Sequence, residues 1–266
     1  LDNVSFSVYP GEFIGIIGHT GSGKSTLMQQ LNGLLKPSSG TVLLDGEDIW
    51  RDKFATKQAR FRVGLVFQYP EYQLFESTVE KDIAFGLRCE RLSEEESHAR
   101  VLEAARIVGL PETLLDQSIY DLSGGQKRRA AIAGVLVMKP NVLILDEPAA
   151  GLDPAGRDEI LQFCRELREK HGITVVLVSH SMEDVARLCD RVLVMNHGTA
   201  EACAAPETVF EQEKHLEEIG LSVPQLSALF HRLREALPEL GLSGKIYTVE
   251  DGTDELCAFL GKEVAP

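Results

Sequence analysis

The sequence predicts an α/β fold in which helices cover a parallel sheet. Short continuous runs of Val, Ile and Leu recur along the chain, helical patterns lie between several of them, and polar motifs follow two of the runs directly. Such runs are typical of strands buried on both faces, and a parallel sheet buried in this way needs helices as covers.

Five apolar runs bounded by turn residues are the predicted strands, at 13–17, 63–67, 142–145, 174–178 and 191–195. The segment between the second and third runs shows helical patterns, at 97–108 and 126–137, and no convincing strand pattern. We therefore expect a helical subdomain at 76–139, inserted into a sheet core formed by residues 1–75 and 140–204.

Residues 205–266 are predicted to form a small C-terminal extension. Its apolar residues fall at helical spacing on one face: Leu226, Leu229, Phe230, Leu233 and Leu237. We interpret this face as a packing surface and not as a ligand site.

Composition narrows the class of protein. The 266 residues are 44% apolar and 26% charged, which suits one large α/β unit with a small appendage. A net charge of −14 disfavours nucleic acid as a partner, because proteins that bind phosphate backbones usually carry a basic face. No apolar run approaches the roughly 20 residues of a membrane span, so we expect any membrane contact to be peripheral.

A phosphate-binding motif follows the first predicted strand. Residues 18–25 read Gly-His-Thr-Gly-Ser-Gly-Lys-Ser, which fits the P-loop pattern between a strand and a helix. The glycines let backbone N–H groups surround phosphates, Lys24 reaches the β and γ phosphates, and the Ser25 hydroxyl can bind Mg²⁺. The expected ligands are therefore ATP and Mg²⁺. The predicted nucleotide contacts are Gly18, His19, Thr20, Gly21, Ser22, Gly23, Lys24, Ser25 and Thr26.

Two adjacent carboxylates end the third predicted strand. Neighbouring side chains of a strand point in opposite directions, so Asp146 and Glu147 can take different roles. We assign Asp146 to Mg²⁺ and Glu147 to the attacking water. The alternative, two solvated acids before a Pro148 turn, is disfavoured by the P-loop in the same chain.

A second anion cradle occurs at residues 122–126, Leu-Ser-Gly-Gly-Gln, where a Ser hydroxyl and glycine amides precede a helix. One nucleotide cannot easily use two such cradles from a single chain. The segment therefore has no obvious use if the protein acts alone.

Taken together, these motifs resemble the ABC ATPase family over about residues 1–199. The P-loop, the signature sequence at 122–126 and the Walker B run at 142–147 occur in the family's order, with Gln68 at the Q-loop, 151–153 at the D-loop and His180 at the switch histidine. The resemblance implies a RecA-like P-loop NTPase core with an ABC α-helical subdomain.

The resemblance also implies roles for individual residues. Two ATPase domains of this family join head to tail, so Ser123, Gly125 and Gln126 would serve the nucleotide of the partner. The catalytic set would be Lys24, Gln68, Glu147 and His180, and Mg²⁺ would be held by Ser25, Gln68 and Asp146. His180 would contact the γ phosphate, and Gln68 would link the metal and water to the helical subdomain.

Four further segments, at 68–75, 132–136, 150–157 and 220–225, are similar to the ATPases of energy-coupling factor (ECF) transporters, and to the second of their two paralogous ATPases. This likeness implies an ATPase that powers uptake of vitamins or other micronutrients. The implied partners are a paralogous ATPase in a heterodimer, a transmembrane coupling subunit and substrate-binding membrane subunits. The chain would lie peripherally at the cytoplasmic face of the cell membrane, and its extension would contribute to ATPase pairing.

Two departures from the family pattern stand out. Ala149 replaces the usual Thr or Ser, and no residue matches the aromatic that stacks on adenine.

Two other functions fit the sequence less well. The ATPase of an importer fed by a soluble binding protein is the runner-up, disfavoured by the segment after Gln68 and by the C-terminal extension. A DNA-repair type of ABC ATPase is disfavoured because it would separate its motifs with long coiled coils, whereas Lys24 and Asp146 are only 122 positions apart and no heptads lie between them.

Overall fold

The computed structural model describes residues 1–238, 241–242 and 245–260. They form two compact units, one made of residues 1–8, 12–24 and 177–266 and the other of residues 9–11 and 25–176. We call them the first and the second unit. The domain boundaries predicted above concern a different division of the chain and stay a prediction.

The secondary structure alternates between strands and helices. The strands are β1 (Phe13–Ile17), β2 (Leu43–Leu44), β3 (Glu47–Asp48), β4 (Val63–Val66), β5 (Val142–Asp146), β6 (Thr174–Val178), β7 (Arg191–Asn196) and β8 (Thr199–Ala204). The helices are α1 (Lys24–Leu31), α2 (Lys53–Arg62), α3 (Val79–Ala84), α4 (Glu94–Ile107), α5 (Gly124–Leu136), α6 (Pro154–His171), α7 (Met182–Leu188), α8 (Pro206–Phe210), α9 (Glu213–Glu218), α10 (Gln225–Ala236) and α11 (Val249–Leu260). Short 3-10 helices lie at Pro70–Gln73, Phe85–Cys89, Glu112–Leu114 and Ile119–Asp121.

Parallel pairing dominates the sheet. In the second unit β4 pairs in parallel with β5, with Val66 opposite Leu145. In the first unit β1 pairs in parallel with β7, and β8 closes that edge in antiparallel orientation. Every residue of β1 and β6 is buried, as expected for strands covered on both faces. The predicted α/β fold of P-loop NTPase type is confirmed.

The predicted strand positions agree closely with the structure. Strands β1 and β6 have the predicted bounds, and the other three differ by one residue at the carboxyl end. The prediction omitted the two-stranded ribbon of β2 and β3 and also β8, whose residues are small or polar and only partly buried.

Helices account for all regular structure between Val79 and Leu136 in the second unit. Within the described part of the chain no helix is longer than the 18 residues of α6, which leaves no room for a long coiled coil. None of the helices in that part is both long and apolar enough to cross a bilayer.

The C-terminal extension has a small core of its own. Phe230, Leu242 and Ile246 are buried together, and Leu226, Leu233 and Leu256 pack against them. The predicted apolar face is therefore only partly buried, because Leu229 and Leu237 remain 48% and 40% exposed.

Candidate ATP site and signature segment

The P-loop connects β1 to α1 within a few residues. Gly21 and Gly23 have φ angles of +83° and +103°, a region that glycine enters without steric cost. A Cβ on Gly23 would also lie 2.7 Å from Leu1 Cδ2. These glycines are therefore needed for the loop to turn back on itself before α1 begins.

Lys24 is held inside this loop. Its side chain is buried, and Nζ donates hydrogen bonds to the carbonyl oxygens of Gly18 at 2.6 Å and of His19 at 3.1 Å. Because the ammonium is fixed over the loop at the N-terminus of α1, the loop combines a cation with the positive end of the helix dipole. This is the chemistry that a phosphate group requires.

Ser22 offers a further test of whether a phosphate fits. It is fully buried, its N–H donates to His19 O at 3.1 Å, and its carbonyl accepts from Gly198 N at 2.9 Å. Its hydroxyl has no hydrogen-bond partner among the described residues, an arrangement that costs about 1–3 kcal/mol. A phosphate oxygen at the loop is a suitable acceptor for this orphaned hydroxyl.

His180 lies between β6 and α7 in the first unit, one residue before Ser181, which caps α7 by accepting from Asp184 N at 3.2 Å. Partial burial, and then the charge of the Lys24 ammonium, lower the pKa of His180 below its usual 6.5. His180 retains an exposed surface, so water weakens both the effect of burial and the interaction with the Lys24 charge. The lowered pKa therefore favours the neutral imidazole at physiological pH.

The second unit brings Gln68 and the two Walker B carboxylates to one edge. Strands β4 and β5 run in parallel, so Gln68, two residues after β4, and Asp146, the last residue of β5, both lie at the carboxyl end of the sheet. Functional groups of α/β proteins usually gather there. Glu147 follows with a φ of +50°, a left-handed conformation that is strained for a non-glycine residue.

The donor types of the three predicted metal ligands suit Mg²⁺. A Ser25 hydroxyl, a Gln68 amide oxygen and an Asp146 carboxylate are hard oxygen ligands of the kind Mg²⁺ takes. The described residues contain no cluster of three or more His, Cys, Asp or Glu side chains that could hold a metal. Mg²⁺ commonly needs no such cage, because phosphate and water complete its shell.

The signature segment caps α5. Ser123 Oγ accepts from Gln126 N at 3.3 Å, and Gln126 Oε1 accepts from Ser123 N at 2.9 Å, which is a capping box. Ser123, Gly124 and Gly125 are all exposed. Apart from its chain neighbours and the backbone of its own helix, a Cβ built on either glycine would meet no described atom within 4 Å.

Packing within the described part of the chain therefore does not require these two glycines. Glycine has the weakest helix preference after proline, so its use in the first turn of α5 weakens the helix. Backbone N–H groups at a helix N-terminus favour an anion, and those of this first turn belong to exposed residues.

Arg128 and Glu71 were not singled out from the sequence. Arg128 is 5% exposed and forms two hydrogen bonds to Glu71, one to Pro148 O and one to Ala150 O. Arg128 lies four and eight residues before the buried Ile132 and Leu136, on one stripe of α5. A charged residue on an apolar stripe was the signal that could have found it.

Comparison with known proteins identifies the family. The family model described as ABC transporter matches residues 1–150. The energy-coupling factor transporter ATP-binding protein EcfA2 of Acetivibrio thermocellus is 51% identical over 262 residues, covering 98% of this chain and 92% of that protein. The EcfA2 of Caldanaerobacter subterraneus subsp. tengcongensis is 53% identical, covering 98% and 90%.

Two solved structures are also similar to this chain. CbiO1 of Clostridium perfringens, described as part of the ABC transporter complex cbiONQ, aligns with a TM-score of 0.72 and 41% identity over 85% of this chain and 90% of that one. The ATP-binding cassette MJ0796, in a dimeric post-hydrolysis state bound to ADP and Pi, aligns with a TM-score of 0.68 and 31% identity over 77% and 90%. The chain belongs to the ABC transporter family, as an ATP-binding subunit of the energy-coupling factor type.

Proposed function

We propose that this subunit, whose ATP hydrolysis is coupled to transport, works at a site shared between two ATPase chains. Its own P-loop binds one nucleotide, and its signature segment completes the site of the partner. The observation that carries this proposal is the exposed cradle at Ser123, Gly124 and Gly125, which nothing in the described chain fills. The dimeric state of MJ0796 supports the same arrangement.

In the proposed site, Lys24 and the first amides of α1 bind the β and γ phosphates. Ser25, Gln68 and Asp146 hold Mg²⁺, which when bound neutralises charge on the phosphates. The side chain of Glu147 orients the attacking water and accepts its proton. The neutral His180 imidazole donates a hydrogen bond to the γ phosphate without adding a net charge.

The partners of this subunit are proposed from its family. CbiO1 is described as part of a complex with other subunits, and curated EcfA2 proteins carry the name of a transporter. We propose a paralogous ATPase as the partner in a heterodimer, with a transmembrane coupling subunit and substrate-binding membrane subunits. The chain then lies peripherally on the cytoplasmic face of the membrane and powers uptake of vitamins or other micronutrients.

The shared site is tested by substituting Gly125→Asp. The new carboxylate enters the cradle and repels the partner's γ phosphate, whereas the P-loop of this chain is unchanged. We expect ATP to bind this chain with a Kd within about twofold of wild type, and hydrolysis of the nucleotide at the partner's P-loop to fall about 100-fold. Filter binding and phosphate release measure the two quantities.

Ser39→Asp is the control, because it adds the same charge at an exposed loop position outside the site. It should leave both quantities unchanged. Normal turnover in Gly125→Asp would exclude the signature segment from the active site. Loss of ATP binding by this chain in that variant would place the segment at this chain's own nucleotide.

A further inference from the structure

Arg128 joins three segments of the second unit through one guanidinium group. It lies in the second turn of α5, five residues after Ser123, and is almost completely buried. We propose that Arg128 is a positioning residue for ATP hydrolysis, which holds the signature helix, the Q-loop and the turn after Glu147 in one arrangement. This inference rests on the proposed roles of Gln68, Ser123 and Glu147.

The Q-loop side of this contact is a two-pronged ion pair. Arg128 Nε donates to Glu71 Oε2 at 3.0 Å, and Nη2 donates to Oε1 at 2.8 Å. Paired parallel hydrogen bonds of this kind restrict both distance and angle. The side chains are only 6% and 17% exposed, so water screens the pair little. Glu71 is three residues after Gln68, so its position constrains the Q-loop.

The second side of the contact is the turn that carries Glu147. Arg128 Nη1 donates to Pro148 O at 3.1 Å, and Nη2 donates to Ala150 O at 3.0 Å. Ala150 N in turn donates to Glu147 O at 3.0 Å. Because Glu147 has a left-handed backbone, its side-chain direction depends on how this turn is held.

The Q-loop and the D-loop also lie close to each other. A Cβ on Gly151 would lie 3.2 Å from Tyr69 Cε1, and Tyr69 itself has a left-handed backbone with φ +54°. Arg128 therefore bonds two segments that already lie against each other. A shift of the Q-loop would be passed both to the Glu147 turn and, along the rigid first turns of α5, to Ser123.

Only arginine can make all of these bonds at once. Its guanidinium has five donors in a planar fork, whereas the lysine ammonium is a compact point charge on a flexible stem. Arg128→Lys can therefore keep the charge opposite Glu71 but not the fork and the two carbonyl bonds. Glu71→Gln keeps the size of the side chain and one acceptor but removes its charge.

A purely structural ion pair would behave differently from a positioning residue. Loss of a structural pair lowers the amount of folded protein but leaves the kinetics of each folded molecule unchanged. Misplaced catalytic groups lower kcat while substrate binding is preserved, because the lost interaction acts only in the transition state.

The test measures kcat and KM for ATP on the purified transporter complex containing Glu71→Gln or Arg128→Lys in the full chain. Folding is checked by circular dichroism and thermal midpoint. We expect kcat to fall about tenfold or more and KM to stay within about twofold, as when reacting groups are displaced by a fraction of an ångström.

Arg129→Gln is the matched control. Arg129 is the next residue of α5, and it likewise bonds a backbone oxygen, Val108 O at 2.6 Å, and a carboxylate, Glu159 at 2.9 Å. These partners lie outside the Q-loop and the Glu147 turn. Arg129→Gln should keep both kinetic constants within about twofold of wild type.

Wild-type kcat in folded Glu71→Gln and Arg128→Lys would overturn the inference, and so would an equal loss of kcat in the Arg129→Gln control. A Glu147→Gln complex is measured in parallel. If Glu147→Gln is inactive and the two variants are normal, only the positioning role of Arg128 fails. If Glu147→Gln hydrolyses ATP normally, the proposed site fails, and the inference fails with it.

Discussion

The charge state of His180 is set by its surroundings at the scale of single residues. Partial burial and the Lys24 ammonium both disfavour the imidazolium, so the pKa of His180 lies below 6.5. Lys24 donates to two loop carbonyls, which hold its charge at the loop. The candidate site thus has two hydrogen-bond donors, an uncharged one on His180 and a positively charged one on Lys24.

A nuclear magnetic resonance titration of the nucleotide-free chain tests this charge state. The Hε1 signal of His180 should have its midpoint below pH 6.5, because the neutral form is favoured until the pH falls through the lowered pKa. The signal is assigned by its disappearance in His180→Gln.

Lys24→Met separates the two causes. Removing the ammonium should move the His180 midpoint upward, while the contribution of burial remains. A wild-type midpoint at or above 6.5, or no movement in Lys24→Met, would contradict the proposed electrostatic link between these residues.

Sequence patterns identified most of the candidate site at this scale, because P-loop, signature and Walker B residues occur in contiguous motifs. Glu71 and Arg128 lie 57 residues apart and their contact depends on tertiary packing. The left-handed backbone of Glu147 is likewise invisible in the sequence, since nothing about a Glu-Pro pair requires a φ of +50°.

The C-terminal extension behaves as a small packing unit at the scale of elements. Phe230 in α10 contacts Leu242 and Ile246, and the buried Ser227 hydroxyl donates to Ile246 O at 2.8 Å. Lys245 pairs with Glu207 of α8 at 2.8 Å. The extension is thus held together by polar contacts as well as apolar ones.

Phe230→Ala should loosen the extension without affecting the nucleotide site. Deleting a buried phenylalanine side chain costs about 3–5 kcal/mol, and the loss falls on a cluster of few residues. We expect faster cleavage by a protease after residue 220, weaker ATP-dependent pairing, and an unchanged Kd for ATP.

Leu229→Ala is the matched control on the same helix, because Leu229 is 48% exposed. It should leave the cleavage rate unaltered. If Phe230→Ala is cleaved faster but pairs as well as wild type, the extension does not contribute to ATPase pairing.

Strands buried on both faces could be predicted from the sequence because short continuous apolar runs, rich in Val and Ile, are typical of them. Strand β8 was missed for the opposite reason. Its Thr-Ala-Glu-Ala-Cys-Ala sequence shows little hydrophobic pattern, and the strand forms through backbone pairing to β7 after a turn in which His197 and Gly198 have positive φ angles. Pairing to an existing edge is decided by the fold and not by local side chains.

At the scale of the whole molecule, the proposed functional residues are divided between the two units. The first contains the P-loop up to Lys24 and His180, and the second contains Gln68, the signature segment, Asp146 and Glu147. Lys24 and His180, which are assigned to this chain's own phosphates, thus belong to the first unit, and the groups assigned to water and to the partner's nucleotide belong to the second.

Glu147→Gln tests whether hydrolysis and phosphate binding depend on different residues. It should remove hydrolysis and leave nucleotide binding and pairing intact. Glutamine keeps the size of the side chain but cannot accept the proton of water, so hydrolysis of the nucleotide at this chain's own P-loop should fall about 100-fold or more. Unhydrolysed ATP then remains between the chains, and light scattering after size exclusion should show a stable pair only when ATP is present. Glu159→Gln, the same change at an exposed position of α6, is the control and should hydrolyse ATP and dissociate as wild type does. Normal turnover in Glu147→Gln would exclude Glu147 as the base, whereas inactivity without a trapped pair would argue that hydrolysis and pairing depend on separate groups.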